Sequence, residues 1–308
     1  MLAKKLPEQA PAPAAEAEPK TKQTAWNRFK KHKPSLIGMV LIALLILVAL
    51  FAPLIAPTDP AKQELFSSLA KPGTPFPESM GKGTYWLGAD HLGRDLLSRL
   101  IHGSRISLLV GFVAQLVILL IGVPLGAIAG YYGGKIDKLI MRVADVMFAF
   151  PDLLFAIGIM FALGSGVINL FIALGVVGWA GRARLVRGQV LQLKERDYVE
   201  AAKAAGARDW WIIIRHILPN ALGPIIVSVT LGIPGAIMSE ASLSFLGLGV
   251  QPPTATWGSM ILDGQSYLRR APLVSVIPGI AIMITVMAFN LVGDGLRDAL
   301  DPRANKKA

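Results

Sequence analysis

The chain has 308 residues, of which 53% are hydrophobic and 17% charged, with a formal net charge of +11 and a mean hydropathy of +0.54. So large an apolar share exceeds what one water-soluble core can hide, which excludes an ordinary soluble domain. There is no cysteine, so disulfides, thiolate zinc sites and iron–sulfur clusters are excluded as well.

Residues 1–24 are rich in Ala, Pro, Glu and Lys and read as a disordered cytoplasmic tail. Residues 25–57 hold a basic amphipathic lead-in, "WNRFKKHKP", suited to anionic lipid headgroups, and a first span from Ser35 to about Ala56. That run is longer than the apolar region of a cleaved signal and lacks a small-x-small exit. Residues 58–105 form an extracytoplasmic loop. Pro, Gly and Ser make its first part an extended connector up to Gly83. Leu96, Leu97, Leu100 and Ile101 then recur at helical spacing, predicting a short interfacial helix along the outer membrane face.

Residues 106–295 carry five further apolar runs, at about 106–130, 139–163, 166–182, 222–248 and 273–295, and residues 296–308 form a C-terminal tail. With six spans and the N-terminus inside, the cytoplasmic segments carry 23 Lys and Arg and the outer segments 8. The expectation is therefore an all-α integral membrane protein of six transmembrane helices, N-in and C-in. Topology accounts for the positive charge, and a nucleic-acid partner loses its main support.

The loop 191–221, between the fourth and fifth spans, contains "YVEAAKAAGARDWWIIIRHILPN". Residues 196–205 suit a helix that Gly206 ends with a left-handed turn. Asp209 is placed to cap a second helix, with Trp210, Ile213, Ile214 and Ile217 on one face and Pro219 marking re-entry into the bilayer. Small residues around Ala201, Ala202, Ala204 and Ala205 leave a low surface that a partner's groove could take, with Glu200 as one directed charge. An ordinary amphipathic cytoplasmic loop shows the same pattern, and physics alone does not separate the two.

"EAAKAAG" followed by "HILP" resembles the EAA loop of importer-type ATP-binding-cassette permeases. Glu200, Ala201, Ala202, Gly206, Leu218 and Pro219 match that pattern, whereas His216 stands where the family has isoleucine. "LGADHLGRDLLSRLIHGSRISLLVG", "GYYGGKIDKLIMRVADVM", "FLGLGVQPPTATWG" and "AFNLVGDGLRDALDP" are similar to the dipeptide/oligopeptide/nickel permease family, closest to its C-type subunit. The resemblance implies a type I importer permease fold whose transmembrane domain is 106–295. It implies a coupling helix seated in a cytoplasmic ATPase, a homologous second permease, two ATPase chains and an extracytoplasmic solute-binding protein. The chain has no Gly-x-x-x-x-Gly-Lys-Ser/Thr phosphate loop, so no cofactor is expected in it, and ATP and Mg would be bound by the partner ATPases.

Carboxylates at membrane depth are functional candidates. Asp145 and Asp152 lie seven apart in the third predicted span, on one face, with Pro151 beside the deeper one. They and Glu240, close to the outer boundary of the fifth span, are the candidates for a translocation path. Hydrogen bonding to neighbouring helices, or snorkelling of Glu240 to outer water, competes with that role. Asn290 and Asp294 suit helix contacts or a cytoplasmic gate region. Rival classes are weaker. "SLAK" at Ser68 has Ser-x-x-Lys spacing without the supporting motifs of an acyl-enzyme. His32, His91, His102 and His216 are dispersed, so no metal site is expected. A self-sufficient channel or secondary transporter would use the same intramembrane acids but needs no EAA loop.

Overall fold

Proline and glycine punctuate the apolar runs, and several helix boundaries fall at or beside them. The structure, a computed structural model, describes residues 25–300. The predicted tail 1–24, and residues 301–308 of the predicted C-terminal tail, lie outside the described residues. Helix α1 spans Ala25–Lys31, α2 Lys33–Leu50 and α3 Ala52–Ile55. Beyond the loop come α4 (Leu96–Tyr132), α5 (Gly134–Phe148), α6 (Asp152–Leu163) and α7 (Val167–Leu193). The remainder is α8 (Asp197–Ala204), α9 (Asp209–Ile212), α10 (Leu218–Phe245), α11 (Trp257–Gln265) and α12 (Leu273–Leu300).

Among the described residues five helices are long and apolar enough to cross a bilayer, and the bent pair α5–α6 makes a sixth crossing if taken as one span. The third predicted span is thus two helices at 91°. Pro151 has no amide hydrogen to continue the ladder and disfavours helical geometry at the residue before it, so α5 stops at Phe148 and α6 starts afresh at Asp152. The fourth span runs eleven residues past its predicted end at 182, to Leu193, because "ARLVRGQVLQL" holds no proline and a single Gly188 is tolerated inside a helix.

Helices α4 and α7 run parallel and meet along a glycine stripe. A Cβ on Gly122 would sit 2.9 Å from the Trp179 carbonyl oxygen, one on Gly126 2.9 Å from Val186 Cβ, and one on Gly130 2.9 Å from the Arg187 carbonyl oxygen. Bare backbone at i, i+4 and i+8 lets the helices close to van der Waals distance, the contact that holds helices together where lipid removes the hydrophobic drive. At Gly126 the obstacle includes the Ala183 backbone, which cannot rotate away. A Gly126→Val chain is therefore expected to lose about 1–3 kcal/mol, read as a lowered thermal midpoint of the purified protein in detergent.

The loop after α3 is more ordered than an extended connector. Strands β1 (Thr74–Pro75) and β2 (Thr84–Tyr85) pair antiparallel, and Tyr85 is fully buried, edge-on to Phe76 at 4.6 Å, with its hydroxyl donating to the Gly93 carbonyl at 3.1 Å. The predicted interfacial helix is also corrected. Residues 96–101 are helical, but they form the first turns of α4 rather than a separate surface helix. Leu96 packs with Trp257, Met260 and Val274 of α11 and α12. Asp95 caps α4 through Ser98, whose N–H and hydroxyl each donate to it at 2.7 Å; burial nevertheless pushes the Asp95 carboxyl above its ordinary value.

A buried charge cluster locks this end of the bundle. Arg94 donates to Asp90 at 2.6 Å and to Asp263 at 2.8 Å, while Arg99 reaches Asp263 at 3.0 Å and Asp90 at 3.4 Å. Two cations and two anions alternate, so no net charge is buried. The cluster ties the loop before α4 to α11 across the sequence.

Candidate coupling surface and intramembrane cleft

Helix α8 stands at the opposite end of the bundle from the charge cluster. It is anchored by one fully buried side chain, Val199, in a core with Val186 and Val190 of α7 and Ile212 and Ile217. Glu200, Ala201, Lys203, Ala204 and Ala205 are exposed, and Ala202 and Leu218 are half-buried against that core. The helix ends in a Schellman turn: Ala207 N–H donates to the Ala202 carbonyl at 3.1 Å and Gly206 N–H to that of Lys203 at 2.9 Å. Gly206 has φ +79°, the left-handed turn its sequence position implied. Tyr131, near the end of α4, touches both flanks of the loop. Its hydroxyl donates to Asp209 at 2.8 Å, and Lys203 Nζ lies 5.6 Å from its ring centre.

The second predicted helix differs from expectation in three ways. Asp209 makes no capping bond; its carboxylate is taken by Tyr131. The helix is not separate, because α9 continues through a π-turn, Ile213–Ile217, into α10. The Leu218 N–H reaches back five residues to the Ile213 carbonyl, and Pro219, lacking an N–H, cannot supply the next α-helical bond. The wider turn rotates the register, so Ile212, Ile213 and Ile217 are buried while Trp210 and Ile214 stay 56% and 58% exposed. His216, in the family's isoleucine position, lies against aromatic rings: Trp211 at 4.8 Å and Tyr198 at 6.3 Å between ring centres.

The three intramembrane acids part company. Asp145 pairs with Arg184 at 2.7 Å on an exposed flank, and the 91° bend means that it does not share a face with Asp152. Glu240 reaches neither outer water nor a cavity wall. It is fully buried, accepting from Ser244 at 2.7 Å and Ser107 at 3.5 Å, and the segment carrying Trp257 covers it. Asp152 alone lines a cleft, of about 250 Å³, between α4, α6, α7 and α10. Asn290 and Asp294 are exposed along a groove between α10 and α12 rather than engaged in helix contacts.

Two residues of that cleft escaped the sequence reading, Arg182 and Gln115. Arg182 is 8% exposed; its guanidinium donates to Gln115 Oε1 at 2.7 Å and to the Ser228 hydroxyl. The signal was present: Arg182 lies inside an unbroken helical run and not at the start of a loop. The structure also brings His91 within 4.8 Å of Asp90 and Asp263, although both carboxylates are already neutralised by Arg94 and Arg99.

Long apolar helices around a glycine-packed pair, with a short polar helix displayed beyond them, define a multi-pass membrane protein. A family model described as binding-protein-dependent transport system inner membrane component matches residues 122–306, and one for the N-terminal membrane domain of oligopeptide transport permease C matches residues 22–72. The chain belongs to the first of these families. It is 42% identical to the oligopeptide transport system permease protein OppC of Bacillus subtilis, covering 99% of each chain. Identity is 44% to the dipeptide transport system permease protein DppC of Alkalihalophilus pseudofirmus, over 91% of this chain and 89% of that one. It is likewise 44% to the glutathione transport system permease protein GsiD of Pectobacterium atrosepticum, over 90% of both. The fold is that of the inward-facing MetNI methionine ABC transporter, with TM-score 0.57 at 19% identity, covering 67% of this chain and 98% of that one.

Proposed function

We propose that this chain is one of two homologous permease subunits of an ATP-driven importer for di- and oligopeptides in a bacterial plasma membrane. The α8 end faces the cytoplasm, and a binding protein delivers solute at the end capped by the charge cluster. The observation that carries the reading is the exposed, small-residue face of α8 in a chain without a phosphate loop. ATP and Mg²⁺ belong to two separate ATPase chains, and this chain holds no cofactor. The relatives named for dipeptide, oligopeptide and glutathione transport support a peptide solute.

The geometry supplies a mechanical route. Closure of the ATPase pair carries α8 with it through the exposed contacts of Glu200 and Ala201. Val199 transmits that movement to α7 and to the root of α10, and Tyr131 transmits it to α4. These helices are three of the four that wall the cleft, so displacement at α8 reshapes it. By linkage, solute loading outside must favour the ATP-bound state to the same extent. Of the three acids considered for the path we retain Asp152.

The test is reconstitution of the chain with its second permease, ATPases and binding protein, followed by uptake of labelled dipeptides, longer peptides and nickel chelates. ATP-dependent peptide uptake is the expected result. Solute movement by this chain alone without ATP overturns the reading in favour of a self-sufficient transporter.

A further inference from the structure

Arg182 poses an electrostatic problem that its neighbours do not solve. It sits in the middle of α7, buried among spans, yet among the described residues no carboxylate forms an ion pair with it. Its two described partners, Gln115 and Ser228, are neutral, and its Nε is buried without any hydrogen-bond partner. A guanidinium carries five N–H donors in a planar fork that matches a carboxylate. Placing such a charge at membrane depth is costly, and proteins keep it there where it meets a counter-charge or lines a route for one.

The surroundings hold the fork in place and leave room beside it. Gln115 comes from α4, Ser228 from α10, and Gly232 makes space for the glutamine: a Cβ there would lie 2.7 Å from the Gln115 Cδ. Arg182 lines the 250 Å³ cleft together with Gln115, Ser239 and the exposed Asp152. The cleft therefore has a fixed cation on α7 with donor capacity to spare, and an anion at the start of α6. Its remaining walls are largely apolar, including Ile118, Leu153 and Leu174.

We propose that this cleft is a subsite for the terminal carboxylate of the transported peptide, with Arg182 as the residue that receives it and Gln115 as the residue that positions the guanidinium. The inference rests on the peptide-importer reading and deepens it: the permease itself selects solutes with a free C-terminus. The apolar walls accept varied side chains beside the carboxylate, which suits a broad peptide range. Movement of α4, α7 and α10 by α8 would open or spoil this seat, because Gln115, Arg182 and Ser228 come from those three helices.

The experiment measures equilibrium binding of a labelled tripeptide to the assembled permease–ATPase complex, without binding protein, in phosphatidylcholine vesicles free of anionic lipid. The free acid is expected to bind about tenfold or more tightly than the same peptide with an amidated C-terminus, since a charge-assisted pair is lost. Arg182→Gln should remove the difference by weakening the acid to the level of the amide, and Arg182→Lys should keep part of it. Equal binding of acid and amide to the wild-type complex overturns the proposal whether or not a variant assembles. So does undetectable binding of the free acid at about 10 mM, weaker than any useful recognition, or a difference that persists in Arg182→Gln. A difference that disappears when anionic lipid is added assigns the cation to a headgroup in the native membrane and also overturns it. ATP-dependent uptake of the free acid in the same vesicles separates the two readings. Uptake without carboxylate selection sinks only the subsite, whereas no peptide uptake sinks the peptide importer.

Discussion

An importer carrying Gly206→Val should hydrolyse ATP at close to its basal rate while moving solute about tenfold more slowly. Gly206 holds φ +79°, and nothing lies within 4 Å of the position a Cβ would take. The cost is therefore backbone strain alone, about 1–2 kcal/mol for a side-chain residue in the left-handed region and more for a β-branched one. At 1.4 kcal/mol per factor of ten, that strain depopulates the Schellman turn and with it the presentation of α8. Gly206→Asn is the matched control, because asparagine tolerates this conformation; it should retain most of the coupling. Transport and ATPase rates measured together in vesicles decide the matter. If Gly206→Val couples normally, the turn does not set how α8 meets its partner.

The larger stability effect belongs to the far end of the bundle. Asp90 accepts from Arg94 Nε at 2.6 Å and lies 3.4 Å from Arg99 Nε; it also accepts from the N–H groups of Leu92 at 2.9 Å and Arg94 at 3.0 Å. Asp90→Ala strips all four donors of this partner and leaves two buried guanidinium groups sharing Asp263. Removal of one member of a buried ionic cluster costs about 3–5 kcal/mol, enough to expose the loop before α4 to protease and to lower the thermal midpoint sharply. Asp145→Ala breaks a pair whose side chains are 51% and 55% exposed, and it should cost under about 1 kcal/mol. Similar losses in the two variants would show that the cluster is solvated and does not lock the fold.

Features written in local chemistry were legible before the structure. Gly206 ends α8 because a left-handed residue is needed immediately after a short helix, and the apolar runs marked the crossings because bilayer thickness sets their length. Features set by a break inside an apolar run, such as Pro151, or by distant partners were not. The 91° bend leaves hydropathy unchanged, so residues 139–163 read as one span, and the face shared by Asp145 and Asp152 was a consequence of that straight helix. Glu240 was placed near the outer boundary by counting residues, but Trp257 and its neighbours, which close over it, come from the next loop. Arg182 looked like the first charge of a cytoplasmic segment, because its partners Gln115 and Ser228 come from two other helices and the predicted span was ended at that residue. Of the α8 loop, the helix and its glycine stop were readable and the π-turn after it was not; of the cleft, only Asp152.

The π-turn at Ile213–Ile217 carries one more consequence. An extra residue in a helical turn acts as a phase offset: everything beyond it is rotated by about 100° relative to an uninterrupted helix. Gly232, Gly235 and Ser239 face the cleft only because that offset lies between them and α8. The bearing of the cleft wall is thus set at the base of α10, some 15 residues before the wall itself. Five residues there work like the keyway on a shaft, fixing the angle at which a push at one end is delivered at the other.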